Sequence, residues 1–438
     1  MARIWQDAAL ASGICRRAAT CALALSIVFV LLVVASAVAQ AQSFKVLYQF
    51  KGGKDGARPA SDLIVDTAGN LYGTTPWGGG TGCSSQVGCG IVFKISKAGK
   101  ETVLYRFRGG NDGGGPVSSL LMDASGNLYG TTHEGGDSTN CGGWGCGTIF
   151  KLSKAGTETV LYRFGAGANG AGPDSPLIQD SAGNFYGTTT GGGDAYGGGT
   201  VWKLDKAGKL TVLKRFTGTD GDGPSGSLLR DAKGNIYGTT VSGGDLNCYY
   251  PWGCGVVFKL DAKGTETMYA FTGDPNHPTG DGLYPHAGVF QDAQGNIYGP
   301  TNEGGANDCG AFRPGTLFKW TPGGKETVLY SFKCSSDGAI PHGLLMDPGG
   351  KVFYGETYIG GDPACGFGCG TVYKIDKTGK GEQVLYNFSP GPGGMWPTGG
   401  LVRDAKGTLY GTTTAAGNVT SCTIPDGKGC GTVFAIVP

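Results

Sequence analysis

Gly69-Asn70-Leu71-Tyr72-Gly73-Thr74-Thr75 decides the fold, because the chain repeats these words, with small changes, six more times. Its tyrosine returns as Tyr129, Tyr186, Tyr237, Tyr298, Tyr354 and Tyr410, at intervals of 51 to 61 residues. Self-similarity at so long a period marks stacked supersecondary units. A residue present in every unit serves every unit, so the tyrosine reads as a packing residue; a catalytic residue would be needed once.

The second unit shows what surrounds the motif. Ser119-Leu120-Leu121-Met122 is a short apolar run, strand A, and Asp123-Ala124-Ser125-Gly126-Asn127 is a turn of aspartate and glycine. Strand B follows as Leu128-Tyr129-Gly130-Thr131-Thr132. After a glycine-rich loop comes strand C, Thr148-Ile149-Phe150-Lys151-Leu152, and the Lys154-Ala155-Gly156 turn leads into strand D, Glu158 to Phe164. β-Branched and aromatic residues fill the runs between turns, and no stretch past the first 41 residues sustains a helical period. Four antiparallel strands per unit, apolar on both faces, suit sheets sandwiched between neighbours.

The two ends of the repeat settle its closure. Phe44-Lys45-Val46-Leu47-Tyr48-Gln49-Phe50 matches strand D, whereas Thr432 to Val437 matches strand C with no D after it. The first strand therefore completes the seventh unit, which removes the exposed edges of an open array. The fold class expected is all-β, a seven-bladed β-propeller of four-stranded antiparallel blades. An open solenoid would need capping units, and none is visible.

The repeated Asp-x-x-Gly-Asn-Leu-Tyr-Gly-Thr-Thr, followed by Gly-Gly and Cys-Gly-x-Val-Phe-Lys, resembles the GloVer (Gloeo_Verruco) tandem-repeat family of exported bacterial proteins. It is more distantly similar to NHL-type propellers. The resemblance spans nearly everything past the leader. It implies export and a propeller-like fold, and no reaction.

Among 438 residues there are 86 glycines and 21 prolines, a share close to that of low-complexity chains. The regular period and regularly placed aromatics argue for order instead. Arg16 and Arg17 precede an apolar run from Ala18 to Ala39 and small-residue sites at Ala39 and Ala41, the pattern of a cleaved secretory signal peptide. An uncleaved anchor is the alternative. The expected division is a leader over 1–41 and a single propeller domain over 42–438. Formal charge is +1, so there is no basic footprint for nucleic acid, and no membrane contact is expected beyond the leader. The protein is read as a secreted, periplasmic or cell-surface monomer.

Ten cysteines pair within the B-to-C loops: Cys83 with Cys89, Cys141 with Cys146, Cys248 with Cys254, Cys365 with Cys369 and Cys422 with Cys430. In an exported chain this reads as disulfides, since zinc sites need pairs that converge and these lie on different blades. In unit five Pro314 replaces the second cysteine, so Cys309 is expected to bond Cys334, which follows strand D.

Alternating strand direction puts the B-to-C and D-to-A loops on one face, and these are the long, variable ones, where recognition belongs. A proline precedes strand A in every unit, and the next residue should face the channel mouth if A is innermost. Around the ring these are Ala60, Val117, Asp174, Ser225, His286, His342 and Thr398. Two of four histidines thus fall at equivalent places in units five and six, where Pro300 and Glu356 also replace a threonine of the B motif and Glu303 follows. His286, His342, Glu303 and Glu356 are the candidate catalytic group, as general acid and base or as ligands of a divalent metal. The alternative is a solvated polar mouth. His133-Glu134 lacks the rest of a zinc-protease motif. The Asp-Gly words at Asp55, Asp112, Asp220 and Asp337 read as turns, without an EF-hand ladder of ligands. Loop aromatics Trp77, Trp144, Tyr249, Tyr250, Trp252, Phe312 and Trp396 are the candidate ligand contacts, able to stack on sugars or anchor a peptide.

No nucleophile elbow, phosphate loop or dinucleotide fingerprint is present, and no cofactor is predicted. The leading expectation is a secreted binding module for a glycan or a cell-surface protein. A hydrolase or lyase at the mouth of units five and six is the second, and a structural envelope protein the third; fold alone does not choose among them.

Overall fold

The computed structural model describes residues 43–438 apart from 81–82, 84–87, 137–140, 166, 249–250, 274–280, 311, 335, 418–421 and 423–428. The expected leader and the candidates Tyr249 and Tyr250 lie outside the described residues.

Seven antiparallel sheets, each in the strand order A-B-C-D, follow one another along the chain. They span 64–106, 121–163, 178–215, 229–270, 290–331 and 339–387 for blades 1 to 6. Blade 7 takes its A, B and C strands from 395–437 and its fourth strand from Ser43–Gln49, which pairs with Thr432–Val437. Phe50 N donates to Gly431 O at 3.0 Å just past that junction. Helix among the described residues is confined to three-residue turns.

The blades are held together by a contact repeated around the ring. A phenylalanine closing each D strand (Phe50, Phe107, Phe164, Phe216, Phe271, Phe332, Phe388) is at most 2% exposed and meets the strand C aromatic of the next blade at 5.1–5.7 Å between ring centroids. Burying each such ring contributes about 1.5–3 kcal/mol. The same C-strand aromatic explains the glycine of the motif: a Cβ on Gly73 would lie 2.7 Å from Phe93 Cζ, so only hydrogen fits there.

The motif tyrosine caps the A-to-B turn. Tyr72 Oη donates to Asp66 Oδ2 at 3.0 Å, while Asp66 also accepts from Asn70 N and Nδ2, and blades 2 to 5 repeat the arrangement. These hydrogen bonds hold Asp180 down at about 2, with Arg230 adding to the effect.

Nearer the axis, the B-strand threonine bridges to the next blade. Thr74 Oγ1 donates to Ser118 O (3.1 Å), Thr188 to Pro224 O (3.0 Å), Thr239 to Ala287 O (3.1 Å) and, across the closure, Thr412 to Ser61 O (3.5 Å).

Strand A departs from the continuous run expected. In blades 1 to 5 its pairing at the axis is two residues long, such as Leu121–Met122. A separate bridge sits nearer the mouth, Ala57 with Trp77 in blade 1 and Gly114 with Glu134 in blade 2. Between the two pieces the residue before the repeated proline turns left-handed, which breaks the pleat. Blade 6 is one residue shorter between Pro341 and Asp347, and there strand A runs from Ala339 to Met346 around a single bulge.

Candidate functional site

All six expected disulfides form, with Cα–Cα distances of 5.2–5.7 Å, including Cys309–Cys334 across two loops of blade 5. They pin the long loops around the mouth. The Asp-Gly words are occupied with turn chemistry: Asp55 accepts from Tyr48 Oη at 2.9 Å and from Lys51 N, and Asp337 from Tyr330 Oη and Lys333 N.

The four candidate catalytic residues divide. His286 and His342 do meet, at 6.3 Å between ring centroids. Loss of hydration lowers both imidazoles, and the neighbouring His286 depresses His342 further. Glu303 is elsewhere, in the short pairing of Glu303–Gly304 with Gly282–Leu283, lining a cleft with Phe312 and Arg313. Glu356 is fully buried between blades 6 and 7. Its Oε2 accepts from Gly400 N at 3.0 Å, so at this interface the usual threonine-to-carbonyl bridge runs with its donor and acceptor exchanged. Burial, and then the nearby Asp62, raise its carboxyl well above the ordinary range. Among the described residues no three His, Cys, Asp or Glu side chains gather to hold a metal ion.

A histidine discounted in the sequence has a defined place. His133 Nδ1 and Asp174 Oδ1 are 2.7 Å apart, joining blades 2 and 3, and that bond raises the imidazole.

The loop-face aromatics are spread over several clefts, some of which share a wall. Trp144, 55% exposed, lines one of about 340 Å³ with His133 and Glu134. Phe312 and Phe367 line another of about 420 Å³, their rings 6.0 Å apart. Trp252 stands 62% exposed. The third cleft, about 380 Å³, joins blades 6, 7 and 1 and is lined by Arg58, Tyr358, Ile359, Phe367, Trp396 and Thr414 among others. Trp396 and Tyr358 lie 5.9 Å apart at 39°, Tyr358 is 6.1 Å from His342, and the Arg58 guanidinium lies 4.3 Å over the Trp77 ring.

Arg58 and Trp396 share an unusual backbone. The residue before each strand A proline is left-handed in all seven blades: Arg58, Gly115, Gly172, Gly223, Tyr284, Ile340 and Trp396, with φ from 57° to 66°. Glycine adopts that shape freely, whereas other residues are held there at a cost of about 1–2 kcal/mol. Blades 2 to 4 use glycine. Blades 5, 6, 7 and 1 do not. Tyr284 packs against the apolar cluster between blades 4 and 5, which accounts for its presence. Arg58 and Trp396 spend the strain on lining a cleft, the pattern expected of residues kept for recognition. Arg58 and Tyr358 were not singled out from the sequence. The signal was the column before the proline; the column after it drew attention to the histidines.

A sequence model of the Gloeobacter/Verrucomicrobia repeat matches residues 33–252 and 250–438. The chain belongs to that repeat family. No functionally curated protein matches it. Among solved structures, it is similar to the extracellular domains of two proteins described as hybrid two-component systems from B. thetaiotaomicron. The first is 11% identical (TM-score 0.52) and the second 13% (0.52), each over 90% of this chain. This repeat protein spans only 39% and 41% of their lengths. A fungal alcohol oxidase described in complex with copper is 14% identical over 90% of this chain and 76% of its own, at a TM-score of 0.54. Identities this low speak for the propeller fold and nothing finer.

Proposed function

We propose that this is an exported binding propeller that takes a glycan in the cleft between blades 6, 7 and 1. The observation that carries the reading is Trp396, an indole held left-handed where blades 2 to 4 use glycine, facing a cleft it shares with Tyr358 and Arg58. Two aromatic faces set at an angle offer apolar area to the C–H face of a sugar, while the tyrosine hydroxyl and the guanidinium supply hydrogen bonds to its rim. Six disulfides fit an oxidising compartment, in keeping with residues 1–41 acting as a cleaved leader.

The test is a glycan array followed by calorimetry on the hits. Trp396→Ala is expected to lower affinity at least tenfold, about 1.4 kcal/mol, with Trp252→Ala unchanged as the control. An array that stays blank, or a Trp396→Ala protein that binds as tightly as the parent, overturns the proposal. A hydrolase or lyase reading retains one specific support, the pair His286 and His342 beside Tyr358. If it holds, a bound glycan is turned over by the parent protein, and His342→Ala abolishes turnover while binding survives.

A further inference from the structure

We infer that the outer seams between blades 7 and 1, 1 and 2, 4 and 5, and 5 and 6 are calcium sites, each built from the aspartate of an Asp-Gly turn and the glutamate at the head of strand D in the next blade. The pairs are Asp55 with Glu101, Asp112 with Glu158, Asp281 with Glu326 and Asp337 with Glu382. Loss of hydration, and then the charge of the paired aspartate, raises each of these glutamates, which sets two like charges side by side at every seam.

The seam between blades 3 and 4 shows what belongs between such acids. There Lys214 replaces the tyrosine two residues before the closing phenylalanine, and its Nζ stands 2.6 Å from Asp220 Oδ2 and 2.6 Å from Glu266 Oε2. The four calcium seams have Tyr48, Tyr105, Tyr269 and Tyr330 in that place. A phenol gives a proton to share but no charge: Tyr330 Oη donates to Asp337 Oδ2 and lies 3.5 Å from Glu382 Oε2. Tyrosine therefore leaves the acid pair one positive charge short of the lysine seam.

The two acids also come and go together. Between blades 2 and 3, Leu210 stands at the glutamate's place and the turn carries Asn169, whose Nδ2 donates to Tyr162 Oη at 2.9 Å. Between blades 6 and 7, Phe44 stands there, stacked on Tyr386 at 3.8 Å, and the turn over 389–394 carries no acid. An aspartate needed only for its own turn would not track a glutamate on another blade. Glu326 points to an ion directly. It is 7% exposed and neither of its carboxylate oxygens has a hydrogen-bond partner, whereas Glu266 Oε2 has Lys214. A buried carboxylate left so is destabilising, and a bound cation relieves it. At the first two seams the nearby arginines reach main-chain carbonyls, Arg106 Nη2 donating to Lys54 O at 3.2 Å and Arg163 Nη2 to Asn111 O at 3.3 Å.

The donors are all oxygens, the chemistry of a hard cation. The lysine seam sets the scale: its two carboxylate oxygens lie within about 5.2 Å of each other, which suits calcium's contacts of about 2.3–2.6 Å better than the shorter octahedral contacts of magnesium. Two carboxylates and a tyrosine oxygen leave room for main-chain carbonyls and water, as in extracellular sites with a Kd of about 0.1–1 mM.

The test is equilibrium dialysis of radioactive calcium into chelator-stripped protein at neutral pH, with thermal unfolding in calcium and in chelator, for the parent, Tyr105→Lys, Lys214→Tyr and Glu158→Gln. The residues changed and their seam partners all lie among the described residues. The parent is expected to take up about four ions, one per seam, and to melt several degrees higher with them. Tyr105→Lys should bind one ion fewer and Lys214→Tyr one more. If Tyr105→Lys fails to fold, Glu158→Gln carries the subtraction. A parent that retains no calcium, or an ion count unmoved by all three changes, overturns the inference. Magnesium held as tightly as calcium overturns the choice of ion. Stability that ignores calcium but rises on acidification would assign each seam a shared proton, and overturns it as well.

Discussion

Blades 2 to 4 and blades 5, 6, 7 and 1 solve one backbone problem in opposite ways. Both sets must turn the chain left-handed before the proline of strand A. The first set places Gly115, Gly172 and Gly223 there; the second places Tyr284, Ile340, Trp396 and Arg58 at the same φ. Away from the mouth the halves are alike, since the same phenylalanine-to-aromatic contact recurs at every interface. The scaffold therefore accepts either glycine or a large side chain in the turn; Tyr284 answers to the core it packs against, whereas Arg58 and Trp396 line a cleft.

That contrast can be broken most forcefully in the core. Phe107→Ala, between blades 1 and 2, and Phe332→Ala, between blades 5 and 6, should each cost about 3–5 kcal/mol in chemical denaturation. A much smaller loss for Phe332→Ala would mean that the halves differ in their packing as well as their mouths. Glu356 gives a smaller and pH-dependent effect. Its folded-state pKa is raised, so between the ordinary carboxyl range and that raised value the native state binds the proton more tightly than the unfolded chain. Stability from this group is thus fully present below about pH 4.3 and falls as pH rises. Glu356→Gln should melt several degrees above the parent at pH 8, with the gain vanishing at pH 4; a gain of equal size at both would detach the effect from ionisation. The mildest test is Gly223→Ala. Nothing lies within 4 Å of the added Cβ, so the expected loss of about 1–2 kcal/mol reports the left-handed backbone alone. An unchanged midpoint would show that Arg58 and Trp396 bear no strain.

Much of this molecule could be read without coordinates. The period, the four-strand unit and the closing strand were legible because a propeller states each contact seven times, and the pairing of Cys309 with Cys334 followed from Pro314 breaking the loop pattern. The site was less legible, for two physical reasons. Glu356 looked like a mouth residue, yet it keeps the place of the buried B-strand threonine that bridges to the next blade, here reaching Gly400 N, and a change of residue type alone does not reveal which way that position points. Arg58 looked like an ordinary loop cation, because its role comes from a dihedral angle and from Trp77 across a bridge. Trp396, by contrast, was visible as an exposed-face aromatic, though its partners were not.

The joining of Ser43–Gln49 to Thr432–Val437 places the first part of the propeller to be synthesised beside the last. A ribosome or an export channel releasing the chain from its N-terminus must therefore deliver every blade before the ring can lock, and the waiting strand remains available to foreign partners until then. Once locked, neither end frays without opening a blade. The closing strand is consequently the last contact to form, and parting it is the one opening that would free both ends of the ring at once.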